Sequence, residues 1–230
     1  MATVTTQNTS TESLTIAELP RRYEILDGVI IDLDAQEAIV PKPLPELYEI
    51  IDGQVVEKPP MGSYSTEVAS MLCGSLEPFA RKSNLGRVLV EPMFRVTPKR
   101  HCRPDVAFFS YQNWPRTPRL PDAESIDRIP ELAVEVLSAS NTAVEVLAKV
   151  RTYFEAGVKA VWLVYPTLAV IHVFDGFTAI RVLTRADHLE GGELFPGFRL
   201  PLSELFELED AVPASETKVS IPDQDAASPG

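Results

Sequence analysis

The chain has 230 residues, 45% of them hydrophobic and 23% charged, which is enough apolar material for one domain with a sizeable core and excludes disorder throughout. Its longest apolar stretches, 160–165 and 169–174, are strand-sized and far below the roughly 20 residues of a membrane-spanning helix, so no membrane span is expected. The formal charge of −12, from 21 basic and 33 acidic residues, disfavours a polyanionic partner at first sight.

Residues 1–20 and 209–230 are polar, small or proline-bearing without a regular period, and read as mobile tails. No basic patch followed by an apolar run opens the sequence, so the cytoplasm is the expected compartment and Cys73 and Cys102 are expected as reduced packing residues. After the first tail comes an internal echo: Tyr23-Glu-Ile-Leu-Asp-Gly-Val-Ile is followed 25 residues later by Tyr48-Glu-Ile-Ile-Asp-Gly-Gln-Val. Each Asp-Gly pair between apolar residues predicts a two-residue hairpin turn, and the first copy, within 21–44, reads as an extension ahead of the main domain.

From 64 to 84, Val68, Met71, Leu72, Leu76 and Phe79 recur at helical spacing. Ser63 or Ser65 would cap that helix, Gly86 would stop it and Pro78 would kink or divide it. Strands are predicted over 87–96, 105–109 and 132–137, with a proline-rich loop between the last two. A helix over 142–156 follows, closed by Gly157, then strands at 160–165 and 169–174, with Asp175-Gly176 turning into a strand over 177–183. Hairpin, helix, three strands, helix, strands is the order of an α/β or α+β sheet domain.

The acidity is uneven. Residues 1–45 hold 7 acids and 3 bases and 209–230 hold 5 and 1, which leaves 21 acids and 17 bases between them. Between 81 and 104, Arg81, Lys82, Arg87, Arg95, Lys99, Arg100 and Arg103 face Glu91 alone. This segment reads either as a solvated basic edge or as a phosphate-binding face, for which Arg95, Lys99, Arg100 and Arg103 are the candidates.

Three acids fall at predicted strand positions: Glu91 in VLVEPMF, Asp105 in RPDVAFF and Glu135 in LAVEVLS. A lone carboxylate is costly to bury, and several together raise one another's pKa unless a cation neutralises them. Mg²⁺ takes oxygen ligands and binds one or two carboxylates while keeping waters, which suits Asp105 and Glu135 on neighbouring strands. Each acid taken alone is better read as a strand-end residue or an arginine partner.

Pro104-Asp105, then Glu135-Val136-Leu137-Ser138 30 residues on, then the stretch through Lys149, Tyr153, Gly157 and Trp162, together resemble the Uma2 family of restriction-endonuclease-like proteins in the PD-(D/E)XK nuclease superfamily. The family's opening Tyr-Glu-Leu-Ile-Asp-Gly-Glu hairpin is matched at 48–54 and its Leu-Pro-Gly-Phe-type ending at 194–198, so the resemblance spans about 45–208. It implies a restriction endonuclease-like core, a mixed central sheet flanked by helices, that hydrolyses DNA phosphodiester bonds with Mg²⁺ or Mn²⁺. Asp105, Glu135 and the Val136 carbonyl would hold the metal. The superfamily lysine, two residues after the glutamate, is replaced by Leu137, and the resemblance moves its role to Lys149 on the following helix. Glu67 on the first helix and Glu49 in the hairpin are candidates for a further acid beside Glu91. A histidine common in the family at the start of the first helix is replaced here by Ser63 or Tyr64. The usual Leu-Val-Asp-Pro reads Leu-Val-Tyr165-Pro166, and Leu-Ser-Pro-Ser reads Leu-Ser-Ala139-Ser140.

His101, His172 and His188 are scattered and suggest no zinc site, and Gly191-Gly192 lacks the setting of a phosphate loop. Trp162 reads as core, whereas Trp114 in the proline-rich loop reads as core or as an exposed platform. A metal-dependent DNA endonuclease, with the 23–30 hairpin available to pair two copies as a homodimer, is the first expectation. A nuclease-fold module that only binds nucleic acid or protein is the second, and an enzyme on another phosphodiester or small phosphorylated substrate the third.

Overall fold

Alternation of side chains along valine-rich strands decides how this chain packs. The computed structural model describes residues 45–206 apart from 118, 139 and 140, together with the backbone of three short strands that precede them. Those are β1 (Tyr23–Leu26), β2 (Val29–Asp32) and β3 (Glu37–Ala38), which form a sheet of their own. The expectations for the two tails lie outside the described residues.

β4 (Tyr48–Ile51) and β5 (Gln54–Glu57) make the second hairpin, turning through Asp52 and Gly53 at φ 48° and 84°. Positive φ at both turn residues is the turn that the Asp-Gly pair predicts. β1 and β2 pair in the same pattern, so both copies of the echo are hairpins. α1 (Ser63–Lys82) runs unbroken through Pro78. Its N-cap is Gly62, without a side-chain cap, and it ends at Ser83, with Asn84 in the left-handed conformation, ahead of the expected stop at Gly86.

The predicted strand over 87–96 is two strands in two sheets. Glu91 sits at φ 48° ahead of Pro92, so the chain turns there between β6 (Gly86–Val90) and β7 (Phe94–Thr97). β8 (Arg100–Cys102), which has no clear sequence signal at three residues, pairs with β7 and β4. β9 (Val106–Ser110), β10 (Leu132–Val136), α2 (Ala143–Ala156), β11 (Ala160–Tyr165), β12 (Val170–Gly176) and β13 (Ala179–Thr184) follow, close to expectation. The last hairpin turns at 177–178, beyond the predicted Asp175-Gly176, because β12 continues through Gly176 across a register shift. β14 (His188–Glu190), β15 (Arg199–Pro201) and the short α3 (Leu202–Leu205) complete the described chain.

Six strands form the main sheet in the order β13-β12-β11-β10-β9-β6, and four form a smaller one in the order β5-β4-β8-β7. In the main sheet only β10 and β11 are parallel, and α2 makes the crossover between them. Val106, Phe108, Leu132, Val134, Val136 and Trp162 pack under Val68, Leu72 and Leu76 of α1. The alternate residues Ala133, Val161, Leu163 and Phe174 meet Val146, Val150 and Tyr153 of α2, together with Phe94 and Cys102 of the smaller sheet. Thr142 caps α2 with a reciprocal Glu145 box, and Gly157 ends it at φ 100°. No helix among the described residues is long and apolar enough to cross a membrane.

Two glycines test this packing in opposite directions. A Cβ on Gly86 would lie 2.2 Å from the Phe109 carbonyl oxygen, whereas one on Gly74, exposed in α1, meets nothing within 4 Å. Gly86→Ala is expected to lose about 3 kcal/mol in urea unfolding by overpacking, and Gly74→Ala to gain about 0.5–1 kcal/mol of helix stability.

His101 of β8 is buried without a hydrogen-bond partner on either ring nitrogen. Burial, aided by the Arg95 charge and opposed by Asp127, lowers its pKa from 6.5 to about 4. Between those values the unfolded chain binds a proton that the folded chain refuses. Stability is therefore full above pH 6.5 and falls as the pH drops towards 4, by about 3 kcal/mol in all. Urea melts of His101→Gln should show that slope flattened; a slope identical to wild type would assign it to other groups.

Candidate active site

The strand alternation that builds the core also sorts the acids. Val106 and Phe108, Val134 and Val136 face α1, so Asp105 just ahead of β9 and Glu135 of β10 fall on the α2 face, where they are 2% and 5% exposed. Helical spacing then decides which side chains of α2 meet them. Val146, Lys149, Val150 and Tyr153 recur at three- and four-residue steps and share the inward stripe. Lys149 Nζ stands 3.0 Å from Glu135 Oε1 and 3.1 Å from Oε2, and the Tyr153 hydroxyl donates to Glu135 Oε1.

The smaller sheet closes the arrangement. Tyr48 and Ile50 of β4 point into the core, which turns Glu49 the other way, with Oε1 3.0 Å from Lys149 Nζ. Glu49 Oε1 also accepts the Arg103 backbone N–H at 2.7 Å. Just past β5, Lys58 Nζ lies 2.6 Å from Asp105 Oδ1 and donates to the Arg103 carbonyl at 3.0 Å. Asp105 Oδ2 accepts the Val136 backbone N–H at 2.6 Å. Glu49, Lys58, Asp105, Glu135, Val136 and Lys149 line a cleft of about 640 Å³, together with Arg100 and Ser138.

Three carboxylates and two ammonium groups thus interleave. Burial is the main cause that raises the Glu135 carboxyl, Asp105 and Glu49 add to it, and Lys149 and Lys58 oppose it. Burial pulls Lys149 down, but the charges and hydrogen bonds of Glu135 and Glu49 outweigh it, so the amine is held above its ordinary value and stays protonated. The Tyr153 hydroxyl is raised by burial and by the Glu135 charge, so it remains a donor. Burial and Glu49 push the neighbouring Cys102 thiol up to about 12, which leaves it unreactive packing.

The donor set is all oxygen. Among the described residues no three histidine, cysteine or acidic side chains converge to hold a metal ion. Two carboxylates, with Val136 lining the same cleft, and solvent offer oxygen donors of the kind Mg²⁺ accepts, whereas a zinc site would want nitrogen or sulfur. The residues present therefore fit a hard divalent cation.

Asp105, Glu135, Val136 and Lys149 come together as expected, and of the three further acid candidates Glu49 joins them. The other two do not. Glu67 is exposed on α1, away from the cleft, because Val68 and Ala69 are the residues that α1 turns to the sheet. Glu91 lies at the corner between the sheets, where its backbone N–H donates to the Asp105 carbonyl and its own carbonyl accepts from Arg103. The basic segment also divides. Arg103 spends its guanidinium on the Tyr48 and Glu91 carbonyls and lies over the Tyr48 ring, Arg95 pairs with Asp127, and Lys99 is exposed beside the turn; Arg100 alone of the four borders the cleft. Lys58 and Tyr153 were not foreseen. Lys58 has no local motif, while Tyr153 could have been found as the residue four after Lys149 on an otherwise apolar stripe.

Lys149→Met removes the cation shared by Glu49 and Glu135. With the ammonium gone, the folded pKa of Glu135 rises further above its unfolded value. Below the unfolded value both states are protonated and nothing is lost, and the penalty grows as pH rises towards the folded value. The variant should therefore lose about 2–4 kcal/mol at neutral pH and less near pH 4, read from urea melts at both. A loss independent of pH would mean that the amine serves only as packing.

Residues 39–203 match the model of the Uma2 family, described as "putative restriction endonuclease". The fold is similar to a crystal structure titled as a "putative nuclease belonging to DUF820" from Anabaena variabilis ATCC 29413, with a TM-score of 0.62 and 17% identity over 70% of this chain and 89% of that one. No curated protein matches. With the family model covering most of the sequence and the fold matching that structure, the chain belongs to the Uma2 family and has a restriction endonuclease-like core.

Proposed function

We propose that this protein is a metal-dependent endonuclease that hydrolyses DNA phosphodiester bonds, with residues 45–208 as its nuclease domain. The observation that carries the reading is the meeting of Asp105, Glu135 and Lys149 at one cleft, from three separate elements of a chain that belongs to this family. Asp105, Glu135 and the Val136 carbonyl would hold Mg²⁺ or Mn²⁺. When bound, the ion polarises the phosphate and acidifies a water molecule.

The chain's own groups do the rest. Lys149 is held cationic, so it is a donor and not a base: it orients the attacking water or takes up charge that builds on a phosphate oxygen. Glu49 and Glu135 fix the Lys149 amine, and Tyr153 fixes Glu135 by its hydroxyl. Lys58 and Arg100 put positive charge at the cleft of an otherwise acidic protein, which lets a phosphodiester approach three carboxylates.

Nicking of supercoiled plasmid in Mg²⁺ or Mn²⁺ tests this. Wild type should cut only with metal, and Asp105→Asn and Lys149→Met should each lose about a hundredfold or more in rate. If wild type binds Mn²⁺ but leaves plasmid intact, the substrate is another phosphodiester or small phosphorylated compound. Failure of both cutting and metal binding would replace the nuclease by a binding module.

A further inference from the structure

The loop that follows β9 carries a second cationic cluster which the cleft does not use. Arg87 of β6 lies over both Tyr111 and Trp114, 5.7 Å from each ring centre, and Arg116 lies 5.8 Å over the Tyr111 ring. Arg128 brings a third guanidinium to the same loop by donating to the Asn113 carbonyl at 3.3 Å. Trp114 packs edge-on against Phe109 at 5.4 Å, so its ring wedges beneath Arg87.

Sheet register says which way the cluster looks. Arg87 stands opposite Phe109 across the β6–β9 pair. Phe109 is out of phase with Val106 and Phe108, which face α1, so Arg87 and Phe109 share the sheet face that holds Asp105. Four residues of β9 separate Phe109 from Asp105, about 14 Å at the usual strand rise. Along a DNA duplex that is the length of about four base pairs.

The chemistry of the cluster suits phosphate. A guanidinium seated on an aromatic face has lost its rotational freedom in advance and keeps a planar edge of donors for an anion. Arg87 Nη2 donates to the Thr117 carbonyl at 2.9 Å and to its hydroxyl at 3.1 Å, which ties down the loop beside the exposed Arg116. Arg128 is exposed as well. Neighbouring carboxylates have other partners: Glu131 accepts from the Ser110 amide and hydroxyl, Glu77 pairs with Arg81 and Asp127 with Arg95.

We propose that Arg116 and Arg128, organised by the Arg87–Tyr111–Trp114 stack, are a second contact for the phosphate backbone of a nucleic acid whose scissile bond lies in the cleft. The inference rests on the nuclease reading for the identity of the polyanion. Its contact is metal-independent, since neither arginine touches the proposed metal ligands.

The test is anisotropy titration of a labelled 30-base-pair duplex in EDTA, over a salt series, with wild type, Arg116→Ala/Arg128→Ala and Trp114→Phe. Loss of both arginines should weaken binding by about five- to tenfold per contact at 0.1 M salt and flatten the slope of log K against log salt by about one per contact. Trp162 is buried, so a change in tryptophan emission on adding DNA should vanish in Trp114→Phe. Thermal melts and Mn²⁺ titration of the double variant check that the fold and the cleft are intact. Equal affinity and slope for wild type and double variant overturn the inference and leave the nuclease reading standing. Binding to polyglutamate but not to the duplex overturns it in favour of an acidic protein partner. Arginine-dependent duplex binding without plasmid nicking supports it while sinking the nuclease reading.

Discussion

Two carboxylates buried on one face of an apolar sheet carry a desolvation cost that nearby cations offset, and this fold sets two lysines from outside the sheet beside them. Lys149 reaches Glu135 and Glu49 from α2, and Lys58 reaches Asp105 from the end of the hairpin. Each acid then has a positive neighbour and at least one hydrogen-bond donor, from Tyr153, the Val136 amide or the Arg103 amide. Such a network is not evidence of net stabilisation, because desolvation opposes the Coulomb gain. What it does is pin three carboxylates at one cleft in a protein whose formal charge is −12.

The small sheet carries Glu49 and leads the chain to Lys58. That depends on a backbone event at Glu91, where a left-handed residue ahead of Pro92 turns the chain from the main sheet into β7. β7 pairs with β8, and β8 pairs with β4 through Ile50 and His101, one residue from Glu49. A strained corner in the middle of a valine-rich run thereby sets the position of an acid more than forty residues earlier in the sequence. Arg103 secures the same corner from within, bonding the Tyr48 and Glu91 carbonyls at once, which is why a residue that looked like a phosphate ligand is a structural strut.

That Lys149 reaches the carboxylates from a helix also has a physical consequence. Just past the end of β10, Leu137 packs at the edge of the α2-side core. On α2, Lys149 approaches the carboxylates from across the cleft and lies between two of them. The amine is held protonated by both, which leaves it able to donate hydrogen bonds but not to accept a proton.

The sequence by itself determined most strands of the main sheet, the helices α1 and α2, the two Asp-Gly hairpins of the echo and the pair Asp105 and Glu135. These are local facts: period-two valine runs, a 3.6-residue apolar stripe, Asp-Gly turns, the Gly157 stop and acids where apolar residues belong. It also carried Lys149, through its place in a motif rather than through any local property. Tertiary structure alone decided that Glu49, not Glu67 or Glu91, completes the acids, because α1 turns Glu67 outward while the corner at Glu91 folds the hairpin back over β10. It alone joined Lys58 and Tyr153 to them, and it alone divided the basic segment between a strut, surface pairs and the cleft. Such contacts join residues tens of positions apart, and only the pairing of two sheets and the docking of α2 bring their side chains within hydrogen-bond reach.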